Sequence, residues 1–269
     1  MKTRAITALF FVIVVLASIL VNVHLFTVFF LVLSLCCLYE FYRIVGDAQG
    51  KPNTWLGMLS GGSAFGLYAA YQLGYLPAQS LLGIILLATV VCIAPLYQKG
   101  QDKPFSGIAY TFFGIVYVIL PFLSFFSLGF LGEGYDYRLP LGFILILWGN
   151  DTGAYLVGKY FGKQRLFERI SPKKTWEGLI GGIVFAMILS LVLAHYYPVI
   201  GIWLWVGMAW LVSIFGTFGD LVESMLKRSQ QVKDSGTILP GHGGLLDRFD
   251  GLLLAAPLVF AFLKIFLSV

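Results

Sequence analysis

The sequence predicts an all-α, polytopic integral membrane protein of about nine transmembrane helices, and three observations predict it. Of 269 residues, 59% are hydrophobic and 12% charged, with a mean hydropathy of +0.88, which is more apolar surface than one water-soluble core can enclose. The apolar residues gather into nine runs, each near the roughly 17–25 residues that the hydrocarbon thickness of a bilayer demands of a spanning helix. When these runs are numbered alternately, all of the 18 Lys and Arg except Arg138 and Lys264 fall on one face. The bias of cationic residues toward cytoplasmic segments then places the N-terminus in the cytoplasm and the C-terminus outside.

The runs cover 5–21, 24–44, 54–75, 78–97, 105–128, 139–160, 177–196, 199–219 and 249–267. They group as N-terminal helices one to three (1–76), middle helices four and five (77–138) and C-terminal catalytic helices six to nine (139–269). Lys2 and Arg4 before the first run resemble a signal peptide, but Val21-Asn22-Val23-His24 is no small-residue cleavage site, so the run reads as a retained span. The first five runs carry almost no ionisable residue in their interiors. Gly57 with Gly61, and Gly62 with Gly66, have the small-xxx-small spacing that lets helices approach closely in lipid. Pro95 and Pro121 are expected to kink or end their helices. Cys36, Cys37 and Cys92 lie inside runs without CxxC spacing and read as inert apolar fillers.

Acids enter the spans from the sixth run onward. Asp151, in LILWGNDTGAYLVG, sits where a carboxylate costs about 2.5–3.5 kcal/mol to insert, so it reads as a site residue facing water or a partner. The loop from Lys159 to Trp176 sets six basic residues against Glu168, which by itself fits either an ordinary positive-inside loop or an anchor for anionic headgroups. Within it, Ser171-Pro172-Lys173-Lys174-Thr175 places paired lysines beside hydroxyls just before a helix start, a combination suited to phosphate oxygens.

If the eighth helix continues past the membrane, Asp220, Glu223 and Lys227 share one face, with Ser224 and Arg228 on the adjacent stripe. Asp247 and Asp250 are one turn apart at the start of the ninth. A single acid there would serve as a cap. Two acid pairs on helices joined by one short loop suggest a shared divalent cation. Ligand oxygens without a His or Cys cluster favour Mg²⁺, completed by water and substrate phosphates. Asp220, Asp247, Asp250, Glu223 and Asp151 are the candidate ligands, and five acids exceed what one octahedral ion uses, leaving room for a second cation. Between the pairs, Pro240-Gly241-His242-Gly243-Gly244 cannot be regular helix and is expected to leave backbone N–H groups free for phosphate. No Walker loop is present.

This island resembles the phosphatidate cytidylyltransferase family, also called CDP-diacylglycerol synthase. The pattern is carried by Ser224, Leu226, Lys227, Arg228, Lys233, Asp234, Gly236, Leu239, Pro240, His242, Gly243, Gly244, Asp247, Arg248 and Asp250, in the family's order and spacing. Asp151 to Tyr155 and Ser171 to Gly178 are similar to further family stretches, whereas the first five runs resemble the family only in hydropathy and place. The resemblance implies transfer of CMP from CTP to phosphatidate, with release of pyrophosphate. Asp220, Asp247, Asp250, Lys227 and Arg228 are the expected catalytic residues. Ser171, Lys173, Lys174, Ser224, Lys233, Asp234, His242, Gly243, Gly244 and Arg248 would contact substrate.

The expected partners are CTP, phosphatidate from the inner leaflet, membrane lipids and a second copy of the chain, with no nucleic acid. The expected location is the inner (cytoplasmic) membrane, with the site facing the cytoplasm. A transporter would instead set ionisable residues along several spans or show inverted repeats. A cytidylyltransferase for another lipid, such as an ether lipid, or a CTP-dependent polyprenol kinase would use similar parts.

Overall fold

The computed structural model describes residues 2–46, 50–97, 103–236 and 243–267. Every apolar run is helical over most of its length. In chain order the helices are α1 (Lys2–Leu20), α2 (Val23–Val45), α3 (Thr54–Gln72), α4 (Gly83–Ile93), α5 (Pro104–Gly114), α6 (Leu120–Leu128), α7 (Arg138–Phe161), α8 (Trp176–Tyr196), α9 (Ile202–Ser229) and α10 (Leu246–Leu267). Among the described residues, six stretches are long and apolar enough to cross a membrane: Val23–Val45, Ala78–Tyr97, Pro104–Leu128, Trp176–Tyr196, Ile202–Ser229 and Leu246–Leu267. The all-α expectation needs one correction. A short antiparallel sheet, β1 (Arg165–Phe167) with β2 (Ser171–Thr175), stands in the basic loop. With three and five residues, neither strand is long enough to show an alternating pattern.

The chain divides into two compact units, Met1–Leu123 with Ser229–Arg248, and Ser124–Arg228 with Phe249–Val269. The first is built around α2, whose Phe26, Phe30, Cys37, Phe41 and Tyr42 are buried. Asn22 and Asn53 cap α2 and α3 by accepting the N–H groups of Leu25 and Leu56. Tyr42 donates its hydroxyl proton to the Thr111 carbonyl at 2.7 Å, and its ring occupies space that a Cβ at Gly57 or Gly114 would fill. Gly61 likewise lies against Leu38 and Ile119, whereas a Cβ at Gly66 would meet nothing within 4 Å. The small-xxx-small spacing is therefore used for close packing on one side only.

Pro95 ends its helix as expected, whereas the helix continues through Pro121. Pro95 lies in the 3₁₀ turn Ala94–Tyr97 that ends the fourth run. Before Pro121 the helix widens to π geometry over Ile115–Ile119, which relieves the clash of the proline ring with the preceding turn's carbonyl.

In the second unit α7 and α8 pack closely through glycine. A Cβ at Gly153 would strike Phe185, one at Gly181 would strike Val157, and one at Gly182 would meet Asn150. Helices α9 and α10 cross at Gly216, Gly219 and Gly251, with Leu147 of α7 in the same crossing. Trp205 is fully buried and donates its indole N–H to the Tyr197 carbonyl at 3.1 Å. In the loop before α7, Arg138 pairs with Asp136 at 2.6 Å. The hydrogen bonds from Arg138 hold the Asp136 carboxyl below its usual range, so this pair's small contribution is present at neutral pH and is lost as pH falls through that lowered value.

Candidate functional site

The site in the second unit begins with the way the chain turns after α7. Glu177, in the first turn of α8, accepts the N–H groups of Lys163 (3.1 Å) and Gln164 (3.2 Å). The Gln164 carbonyl in return accepts the Trp176 N–H at 3.0 Å. Thr175 caps α8 by accepting the Gly178 N–H at 3.1 Å. These bonds lock the β1–β2 hairpin to the helix and set Arg165, Lys173 and Lys174 on the wall of a cavity of about 500 Å³. Helix α7 supplies Asp151 and Lys159 to the same cavity, and α9 supplies Thr217 and Asp220. Lys159 also rests over the rings of Tyr155 and Tyr160, at 5.9 and 5.4 Å. The cavity thus sets four cations against two carboxylates, a balance that suits a polyanion.

The acids are organised by lysines. Lys174 Nζ lies 2.7 Å from Asp220 Oδ2 and 3.4 Å from the Thr217 carbonyl. Ser224 donates to Asp220 Oδ1 at 3.2 Å. One turn on, Lys227 pairs with the fully buried Glu223 at 2.5 Å. The α9 face read from the sequence is therefore real, and Lys227 is held by Glu223 on that same face.

Asp250 on α10 feels the charges of Asp220, Glu223 and Asp151, and one of its oxygens accepts the Gly251 N–H at 2.7 Å. The approach that allows this is the α9–α10 crossing, where Gly219 lies against the Asp250 carbonyl. Asp151, Asp220, Glu223 and Asp250, on α7, α9 and α10, are near enough to influence one another's charge, and oxygen ligands are the kind that suit Mg²⁺. As they stand, no three acid, His or Cys side chains among the described residues form a ready-made metal cage. Two of the four carboxylates are already paired with lysine.

Asp247 has its own surroundings in the first unit. Its carboxylate accepts the N–H groups of Gly244 (2.9 Å) and Ser235 (3.1 Å). Gly243 adopts φ +81°, and a Cβ there would stand 2.8 Å from Asp247 Oδ2, so glycine is required for both reasons. The Gly244 N–H is thus used by Asp247 and not left for a ligand.

Of the remaining expected site residues, Ser171 opens β2 and pairs with Phe167, away from the cavity lining. Arg228, Lys233, Asp234 and Arg248 are exposed, and His242, with Pro240 and Gly241, lies outside the described residues. The sequence reading assigned no site role to four residues. Arg165 and Lys159 count there only as cations of the basic loop, and Glu177 and Glu40 carry no reading of their own. Yet Glu40 is a buried acid in α2, and an acid inside an otherwise apolar span was the available signal.

Comparison with known proteins adds a second line. A model of the cytidylyltransferase family matches residues 2–266. The chain belongs to the cytidylyltransferase family. A phosphatidate cytidylyltransferase of Staphylococcus aureus (strain COL) is 34% identical over 261 residues, covering 96% of this chain and 97% of that protein. One of Bacillus subtilis (strain 168) is 32% identical over 275 residues, covering 99% and 98%. One of Staphylococcus epidermidis (strain ATCC 12228 / FDA PCI 1200) is 34% identical over 261 residues. The family match reaches the first five apolar runs, where the sequence resembles the family only in hydropathy and place.

Proposed function

We infer that the chain transfers CMP from CTP to phosphatidate, giving CDP-diacylglycerol and pyrophosphate. The observation that carries the inference is the cavity in which Lys159, Arg165, Lys173 and Lys174 face Asp151 and Asp220, in a chain whose relatives are phosphatidate cytidylyltransferases along their whole length. A lipid phosphomonoester has a second pKa near ~6 and is largely dianionic at neutral pH, so it needs little help from a base. Its obstacle is the approach of one polyanion to another.

The cavity cations answer that obstacle by holding phosphate oxygens and orienting the lipid phosphate for in-line attack on the α-phosphorus. One new P–O bond forms there, the bond to the β-phosphate bridge breaks, and pyrophosphate leaves. Asp220 and Asp250 would hold a divalent cation such as Mg²⁺, with Glu223 and Asp151 as further candidate ligands and capacity for a second ion, and Asp247 is a proposed ligand on the strength of the sequence motif. The chemistry such a cation supplies is neutralisation of the triphosphate and of the leaving pyrophosphate. Lys174, which neutralises Asp220 in the structure, is then placed to neutralise phosphate. Lys227, Arg228 and Arg248 would add to the cationic surface that the substrates meet.

The test is direct. Purified protein in detergent should transfer labelled CMP from CTP to phosphatidate in a Mg²⁺-dependent manner, and folded protein without that activity would overturn the inference.

We also propose nine spans with the N-terminus in the cytoplasm and the site opening both to the cytoplasm and to the inner leaflet of the inner membrane, in a homodimer as the family resemblance implies. Support comes from the helix in each apolar run and from the placement of Lys and Arg. In intact cells, a cysteine at Glu133 should react with an impermeant thiol reagent above the parent background, and one at Gln164 should not. Reversed labelling would discard the orientation.

A further inference from the structure

We propose that Glu40, a buried acid of the second helix, is a positioning residue that sets the Asp247 carboxylate through Ser235. Glu40 is 1% exposed. A carboxylate so placed costs several kcal/mol unless hydrogen bonds or opposite charge compensate it. Its Oε2 accepts the Ser235 hydroxyl at 3.0 Å and the Leu246 N–H at 2.8 Å.

Leu246 is the first residue of α10, so Glu40 caps this helix from a distant part of the chain and meets the positive end of its dipole. Ser235 is the hinge of the arrangement. Its hydroxyl goes to Glu40, and its backbone N–H goes to Asp247 at 3.1 Å. Two carboxylates from sequence positions 207 apart (247 − 40) thus grip one residue from opposite sides, and both also hold the start of α10, through Leu246 and Gly244.

The glycines around this point acquire a reason. A Cβ at Gly236 would overlap Glu40 Oε1, and one at Gly244 would overlap Ser235 Oγ and stand 2.5 Å from Glu40 Oε2. Both positions are open so that the carboxylate can enter. Bonds of this sort fix the direction of a ligating carboxylate, and losing them usually costs 10- to 100-fold in metal affinity or activity.

The proposal rests on the reading that Asp247 takes part in CMP transfer, and the test separates the two. Glu40→Gln keeps the shape of the side chain but presents an NH₂ group where donors already point, and Ser235→Ala removes one link without touching the helix. Each variant should lower kcat by roughly 10- to 100-fold and leave KM for CTP within about twofold. Each should also require about tenfold more Mg²⁺ for the cation-induced rise in melting temperature, a readout independent of turnover.

Asp247→Asn is the control. If it is inactive while Glu40→Gln and Ser235→Ala keep kcat and the Mg²⁺ midpoint, the positioning role is overturned and the reading of Asp247 stands. If Asp247→Asn itself is fully active, that reading fails and the proposal falls with it. A lower melting temperature with an unchanged Mg²⁺ midpoint would mark Glu40 as purely structural and overturn the proposal. Should Glu40→Gln fail to fold, Ser235→Ala decides.

Discussion

Replacing Asp250 with asparagine should lower CMP transfer by at least ~100-fold and leave the melting temperature of the folded protein unchanged or raised. Asp250 sits among the charges of Asp220, Glu223 and Asp151, and Lys174 and Lys227 pair directly with Asp220 and Glu223. Removing one negative charge relieves repulsion, while the asparagine oxygen can still accept the Gly251 N–H that Asp250 holds at 2.7 Å. A residue kept for stability would show the opposite pattern, a lower melting point with activity retained. Function maintained at the expense of stability is the ordinary signature of a site residue. Activity and thermal melting measured on one detergent preparation of each protein distinguish the two cases.

Gly219→Ala should be a severely damaging small change in the second unit. The added Cβ would run into the Asp250 carbonyl oxygen and stand 3.1 Å from the Gly251 Cα. Backbone cannot swing aside as a side-chain tip can, so α9 and α10 must separate. Overpacking of this kind costs about 1–3 kcal/mol, and here the displaced residues are Asp220 and Asp250 themselves. A misplacement of ~1 Å at reacting groups is worth ~100-fold in rate. The expected result is therefore a lower melting temperature together with a loss of at least ~10-fold in kcat, beyond any loss of folded protein. Gly66→Ala supplies the comparison: its Cβ meets nothing within 4 Å, and alanine favours helix by up to ~1 kcal/mol, so it should be neutral or mildly stabilising. Equal behaviour of the two variants would remove the crossing from the account.

Several site relations were legible because they are local. Asp220, Glu223, Ser224 and Lys227 are tied to one another by helical spacing, and the structure pairs Ser224 with Asp220 and Lys227 with Glu223. Lys173 and Lys174 were legible as phosphate-binding candidates because they precede a capped helix start. The strand that carries them was not, since hairpin strands of three and five residues leave no periodic trace. Lys159 and Arg165 were visible as charge but hidden as site residues, because topology alone accounts for cations in a short loop.

Glu40 shows the limit most clearly. Its partners are Ser235 and Leu246, about two hundred positions away, and nothing in LCCLYEFYR indicates that pairing. The glycines of Pro240 to Gly244 suggested free N–H groups for phosphate. The Gly244 N–H is instead bonded to Asp247, and Gly244, like Gly236, makes room for Glu40.

By itself, then, the sequence determined the membrane class, the helical runs, the family resemblance and the acids that carry it. Hydropathy, helical period and short spacings are properties of neighbouring residues. Only the tertiary structure decided which lysine neutralises which acid, which glycines let backbones and carboxylates approach, and that α2 reaches the start of α10 through Glu40. Those outcomes depend on contacts between residues far apart in the chain, where free volume and the need to satisfy every buried charge select the partner.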